Sequence, residues 1–152
     1  MNKGYSAAWD GDWESAANCY RQALVVMPDQ PLALTNLGLA LFELRHYDEA
    51  LKIYLHAAKI SPQDPLPLEK AAEIYERLGT LDKAVSFSLQ AAELYARSRD
   101  LKKAVDCWWR AIRLDPENIL AHSRLAIVYE RTGDKESAVS EYLAFAALLQ
   151  HA

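Results

Sequence analysis

Residues 31–62 read PLALTNLGLALFELRHYDEALKIYLHAAKISP, and the rest of the chain is best read against this stretch. Its second half carries Ala50, Tyr54 and Ala57, an i, i+4, i+7 spacing that places one small, one aromatic and one small residue on a single helical face. Small residues there let a neighbouring helix approach closely, and the aromatic fills the space further out. Pro62 then stops the helix and opens the next one. The same face recurs along the chain. Ala16, Ala50, Ala84, Ala104 and Ala138 are separated by 34, 34, 20 and 34 residues. Tyr20, Tyr54, Ser88, Trp108 and Tyr142 keep that beat, as do Ala23, Ala57, Ala91, Ala111 and Phe145. Pro28 and Pro62 are 34 apart, and Pro116 lies 54 further on, one step of 34 plus one of 20. Gly4 and Gly38 open another column, with Ala72 at the next step.

A period of 34 with this pattern is the signature of a helix–turn–helix repeat. The chain resembles the tetratricopeptide repeat (TPR) family. The resemblance rests on Leu34, Leu37, Gly38, Leu41, Ala50, Tyr54, Ala57 and Pro62 in the second unit, and on His122, Leu125, Ala126, Tyr129, Gly133, Ala138, Tyr142 and Phe145 in the last. It covers nearly the whole chain. It implies an all-α fold, a right-handed superhelical solenoid of antiparallel helix pairs. About nine helices are expected, near 3–9, 13–26, 31–44, 48–60, 65–78, 82–97, 101–114, 118–131 and 135–150. The expected organisation is a single repeat domain over 1–152, with units near 1–30, 31–64, 65–98 merging with 85–118, and 119–152. Asp12, Asp48, Asp82 and Asp100 fall at or near helix starts, where a carboxylate caps or complements the dipole.

The 20-residue step breaks the beat. Residues 70–85, KAAEIYERLGTLDKAV, match residues 90–105, QAAELYARSRDLKKAV, at nine of sixteen positions. A step of 20 omits one helix and its turn. Helix 82–97 would then end one unit and begin the next, with Ala84, Ser88 and Ala91 in one register and Ala91, Ala92 and Tyr95 in the other. The expectation is an irregular unit near 82–105 that interrupts the superhelix, with a groove that splits or widens beside it.

Composition narrows the function. The chain has 152 residues, 51% hydrophobic and 25% charged, enough for a packed core without staples. Its 17 Lys and Arg against 21 Asp and Glu give a net charge of −4, which argues against nucleic acid or an anionic membrane as partner. No apolar run approaches the ~20 residues of a membrane helix, and no signal peptide is visible. Cys19 and Cys107 belong to no CxxC pair and read as reduced thiols of a cytoplasmic protein. His46, His56, His122 and His151 form no catalytic or metal motif, and His122 shares its column with Leu34 and Leu68, a structural position. No catalytic residue, metal or cofactor is expected.

The remaining function is recognition. The resemblance implies that first helices line a concave groove for an extended peptide or a partner helix. Asn2, Asn36, Lys70, Gln90 and Arg124 form one column of hydrogen-bond donors suited to peptide carbonyls or a carboxylate. One turn on stand Tyr5, Leu39, Glu73, Glu93 and Ile127; a further turn brings Trp9, Glu43, Arg77, Arg97 and Arg131. Glu73–Arg77 and Glu93–Arg97 have favourable i, i+4 order, so the arginines serve either a partner or a solvated face. Tyr5, Trp9, Leu39 and Phe42 read as an apolar anchor patch or as a surface packed on a further helix. Asn36, Lys70 and Arg124 resemble part of the carboxylate clamp by which some TPR domains hold chaperone tails. Thr35 and Leu39 stand where that clamp needs Lys and Asn, and Glu69 and Glu73 add negative charge, so tail binding is not expected. Trp108 reads as core, and Trp109 either as an exposed contact or as cover for the missing helix. Helix 135–150 is apolar around most of its circumference, with Tyr142, Leu143, Phe145, Leu148 and Leu149, which suggests docking on another copy or a fragment of a longer array. The reading is a non-enzymatic scaffold binding a protein or peptide segment. The alternatives are a homo-oligomerising module or an adaptor region of a larger enzyme or regulator.

Overall fold

The column of small residues opposite aromatics sets how closely helices approach. A Cβ added to Gly38 would lie 2.7 Å from the Tyr54 ring, and one added to Gly4 would lie 2.9 Å from Tyr20. Only a hydrogen fits between these helix axes and the buried tyrosines.

The computed structural model describes residues 2–151, without the side chains of Asn2 and His151. Among the described residues there are nine α-helices and no strand: α1 Asn2–Trp9, α2 Trp13–Val26, α3 Pro31–Glu43, α4 Tyr47–Ile60, α5 Leu66–Arg77, α6 Leu81–Arg97, α7 Leu101–Leu114, α8 Ile119–Thr132 and α9 Lys135–His151. The expected all-α class of helix pairs is the one observed.

A left-handed turn repeats on the beat of the columns. Gly11, Arg45, Gly79, Arg99 and Gly133 all have left-handed backbones, with φ of 77°, 61°, 74°, 65° and 84°. Around them the amides of Asp12, His46, Asp100 and Asp134 donate to the carbonyls of Ala7, Leu41, Tyr95 and Tyr129, and the left-handed residues donate three positions back. This double closure satisfies carbonyls that a helix end leaves bare. Side chains cap the other end. Asp12 accepts from Ser15 N at 3.1 Å, Gln30 from Ala33 N, Asp100 from Lys103 N and Asn118 from Ala121 N. Asp48 and Asp82 sit in the first turns of α4 and α6 instead, where they complement the dipole without capping. Pro28, Pro62 and Pro116 each follow the C-cap of a 14-residue helix. Ala96 stands one 34-residue step beyond Pro62, so nothing stops α6, which runs for 17 residues.

The chain divides into two compact units, residues 1–79 and 80–152, and the division falls just ahead of the stretch where the 34-residue beat fails. In unit 1, α1 pairs with α2 and α3 with α4, and α5 packs on α4. Ala16, Ala17, Tyr20, Leu37, Ala40, Leu41, Ala50, Tyr54 and Ile74 form its core. In unit 2, α6 pairs with α7 and α8 with α9. There Ala92, Ala104, Cys107, Trp108, Ala111, Leu125 and Ala126 are buried. Along α6, Ala84, Ser88, Ala91, Ala92 and Tyr95 are all buried, so both registers of that helix lie in packed positions. No helix among the described residues is long and apolar enough to cross a membrane.

Candidate functional site

First helices keep one face for the core and leave another uncovered. In unit 1 this face belongs to α3 and α5. Asn36, Leu39, Phe42, Lys70 and Glu73 are half-buried on it, and Arg77 is exposed. Asn36 donates from Nδ2 to the Tyr5 hydroxyl at 3.1 Å, and the Tyr5 ring packs edge-on against Tyr20 at 6.0 Å between centroids. Lys70 Nζ is 2.8 Å from Glu73 Oε2. Phe42 lies edge-on to Tyr47, at 5.5 Å between centroids. Arg77 sits over both rings, 5.1 Å from Phe42 and 5.8 Å from Tyr47, and Lys70 is 6.0 Å from Phe42. The aromatic faces thus hold two cations by their quadrupoles. Trp9 is 90% exposed. Nearby carboxylates and, above all, burial push the Tyr54 phenol well above its ordinary range.

In unit 2 the open face belongs to α6 and α8. Gln90 is exposed, and its Nε2 turns back to donate to Ser86 O and Oγ at 3.3 Å. Arg124 Nε donates to Glu93 Oε1 at 2.8 Å, a link between α6 and α8. Glu93 is thus held by Arg124, and Arg77 by aromatic rings. Arg97 and Arg131 have no ion-pair partner among the described residues. A pocket of about 230 Å³ opens beside the Arg124–Glu93 pair. Glu93, Ala96, Leu101, Trp108, Arg124, Ile127, Val128 and Arg131 line it. Trp108, 1% exposed, reaches it from the second-helix layer.

Sequence reasoning placed the donor column on the open faces: Asn36, Lys70, Gln90 and Arg124 all stay out of the packed interior. The Asn2 side chain lies outside the described residues. It missed that each donor already holds a partner within its unit. It also missed Ala96, Leu101 and Val128, which no repeated column singles out.

A buried polar pair is the other departure. His122 Nδ1 lies 2.6 Å from Glu141 Oε2, and its Nε2 lies 3.1 Å from the Pro116 carbonyl, with side-chain exposures of 10% and 8% for the pair. It ties α8 to α9, a structural role as the column of His122 implied. Trp109 is 43% exposed and donates from Nε1 to the Tyr129 hydroxyl at 2.9 Å. On α9, Val139, Leu143 and Leu149 are exposed. Among the described residues no cluster of three His, Cys, Asp or Glu is placed to hold a metal ion.

Comparison with known proteins places this architecture. A tetratricopeptide repeat profile matches residues 1–65, and a TPR repeat profile matches residues 92–133. BBSome complex member BBS4 of Mus musculus is 25% identical over 149 residues, 87% of this chain and 28% of that protein. Photosystem I assembly protein Ycf3 of Synechococcus sp. is 28% identical over 120 residues, 77% of this chain and 66% of that protein. The chain thus spans about a quarter of the first relative and about two thirds of the second. Among solved structures, MamA aligns over 99% of this chain and 96% of its own at a TM-score of 0.58 and 16% identity. The Yersinia enterocolitica type III secretion chaperone SycD, solved with a peptide of the translocator YopD, aligns over 73% of this chain and 86% of its own at 0.69 and 21%. These likenesses are likenesses of fold. With profiles over residues 1–65 and 92–133 and an architecture of helix pairs, the chain belongs to the tetratricopeptide repeat family.

Proposed function

We propose that this protein is a non-enzymatic scaffold whose open first-helix faces bind a peptide or protein segment. The observation that carries this is the exposure pattern of the donor column. Asn36, Lys70, Gln90 and Arg124 occupy equivalent repeat positions, and none enters a core. Their present partners leave donors to spare, since Lys has three N–H groups and Arg five. SycD, with a peptide of YopD in its solved complex, supports the reading by fold analogy. Cytoplasmic placement rests on the free thiols Cys19 and Cys107. Affinity capture with wild-type and Lys70→Glu/Arg124→Glu baits tests it. A partner retained by the first and lost by the second supports the scaffold. Equal capture by folded forms of both ends it.

The exposed side chains of α9 favour a second reading, self-association. Leu143 is 66% exposed beside Val139. Light scattering of the wild type and Leu143→Glu decides it: a dimer mass that falls to one chain in the variant supports it, and one-chain mass in both rejects it.

A further inference from the structure

The pocket between α6 and α8 says more about the segment than that it is a peptide. At about 230 Å³ it is smaller than the ~300–1,000 Å³ sites that enclose whole small molecules, so its scale is that of one side chain. Ala96, Leu101, Ile127, Val128 and the Trp108 ring make most of its wall apolar. The rim is charged and unbalanced. Arg124 is matched by Glu93 at 2.8 Å, whereas Arg131 has no ion-pair partner among the described residues. An apolar pocket with one uncompensated guanidinium at its edge selects an occupant that supplies both missing features.

We infer that this pocket takes an aliphatic side chain from an acidic segment of a partner protein, with a neighbouring Asp or Glu carboxylate paired to Arg131. The inference rests on the scaffold reading above and assigns its ligand chemistry. A basic segment would bring its cation to Arg131 and Arg124, and a wholly polar one would leave the apolar wall against water.

The test uses the full chain and a phage-displayed library of random twelve-residue peptides. Recovered sequences are synthesised with a fluorescent label and titrated by anisotropy. The four indole N–H signals, assigned through Trp9→Phe, Trp13→Phe and Trp109→Phe, report in parallel on Trp108. The expected peptides pair Leu, Ile, Val or Met with Asp or Glu within two residues, and they shift the Trp108 signal. Replacing their aliphatic residue by Ala, or using Arg131→Gln, weakens binding by about 10-fold, and 0.5 M salt weakens it further. Arg131→Gln is compared only at unchanged melting temperature. Peptides that bind without an acidic residue, or that leave Trp108 and Arg131→Gln unaffected, overturn the pocket assignment and leave the scaffold standing. A library that yields no binder overturns both.

Discussion

Exchanging both members of the His122–Glu141 pair for the apolar residues found one repeat type earlier tests how α8 is held to α9. The positions equivalent to His122 and Glu141 in the α3–α4 pair are Leu34 and Ile53. The perturbation is therefore a double-mutant cycle of His122→Leu, Glu141→Ile and both together. Each single change strands the other group at about a tenth exposure or less. Removing one partner of a buried pair costs about 3–5 kcal/mol. Independent effects would sum to about 6–10 kcal/mol, comparable to the whole stability of a domain this size, and the double variant would be unfolded. Coupled effects give another result. With both groups gone, no stranded charge remains, and apolar replacement of such pairs is neutral or stabilising. The residual cost is the Pro116 carbonyl, which loses its Nε2–H donor for about 1 kcal/mol. The double variant is expected within about 2 kcal/mol of wild type and more stable than either single. Urea unfolding followed by circular dichroism supplies all four corners. A double variant less stable than both singles refutes the reasoning, because the pair would then not be the reason each group is tolerated.

Arg45→Gly and Arg99→Gly relieve a left-handed residue of about 1–2 kcal/mol of strain against about 0.5–1 of added chain entropy, so each stabilises by about 0.5–1 kcal/mol in thermal unfolding. Gly38→Ala gains about 1 kcal/mol of helix propensity but drives a methyl into the 1%-exposed Tyr54 ring, where overpacking costs about 1–3; a net loss is expected in urea, and a gain would show that α3 and α4 part freely. Ser88→Ala removes a buried hydroxyl that has no hydrogen-bond partner and raises stability by about 1 kcal/mol, read from the urea midpoint. Arg124→Ala breaks a partly exposed ion pair and costs no more than about 1 kcal/mol, so a binding defect in it measures recognition rather than unfolding.

Much of the fold was legible because the determinants are local and repeated. The expected helices 13–26 and 101–114 are α2 and α7 as observed, and each end of the others lies within one residue of its expected place. Prolines and left-handed turns mark those ends within a few residues of chain. The turn at Arg45 and Arg99 was not legible, since arginine carries no preference for that backbone; only the column shared with Gly11, Gly79 and Gly133 exposes it. The partner of Glu93 was misread for a related reason. Spacing along one helix pointed to Arg97, yet Arg124, 31 residues away, approaches from the next first helix. Nothing in the neighbourhood of Glu141 announced a buried carboxylate, because its equivalents are Cys19, Ile53, Phe87 and Cys107.

By itself, then, the sequence determined the helices, their pairing and the faces they keep open. Those depend on side-chain size at a fixed period, which short stretches of chain carry completely. Tertiary structure decided which charges neutralise each other, that Trp9 is exposed, and that Ala96, Leu101, Ile127 and Val128 enclose a pocket with Arg131 at its rim. These depend on distances between residues far apart in the chain, where a difference of an ångström or two separates a hydrogen bond from an open donor.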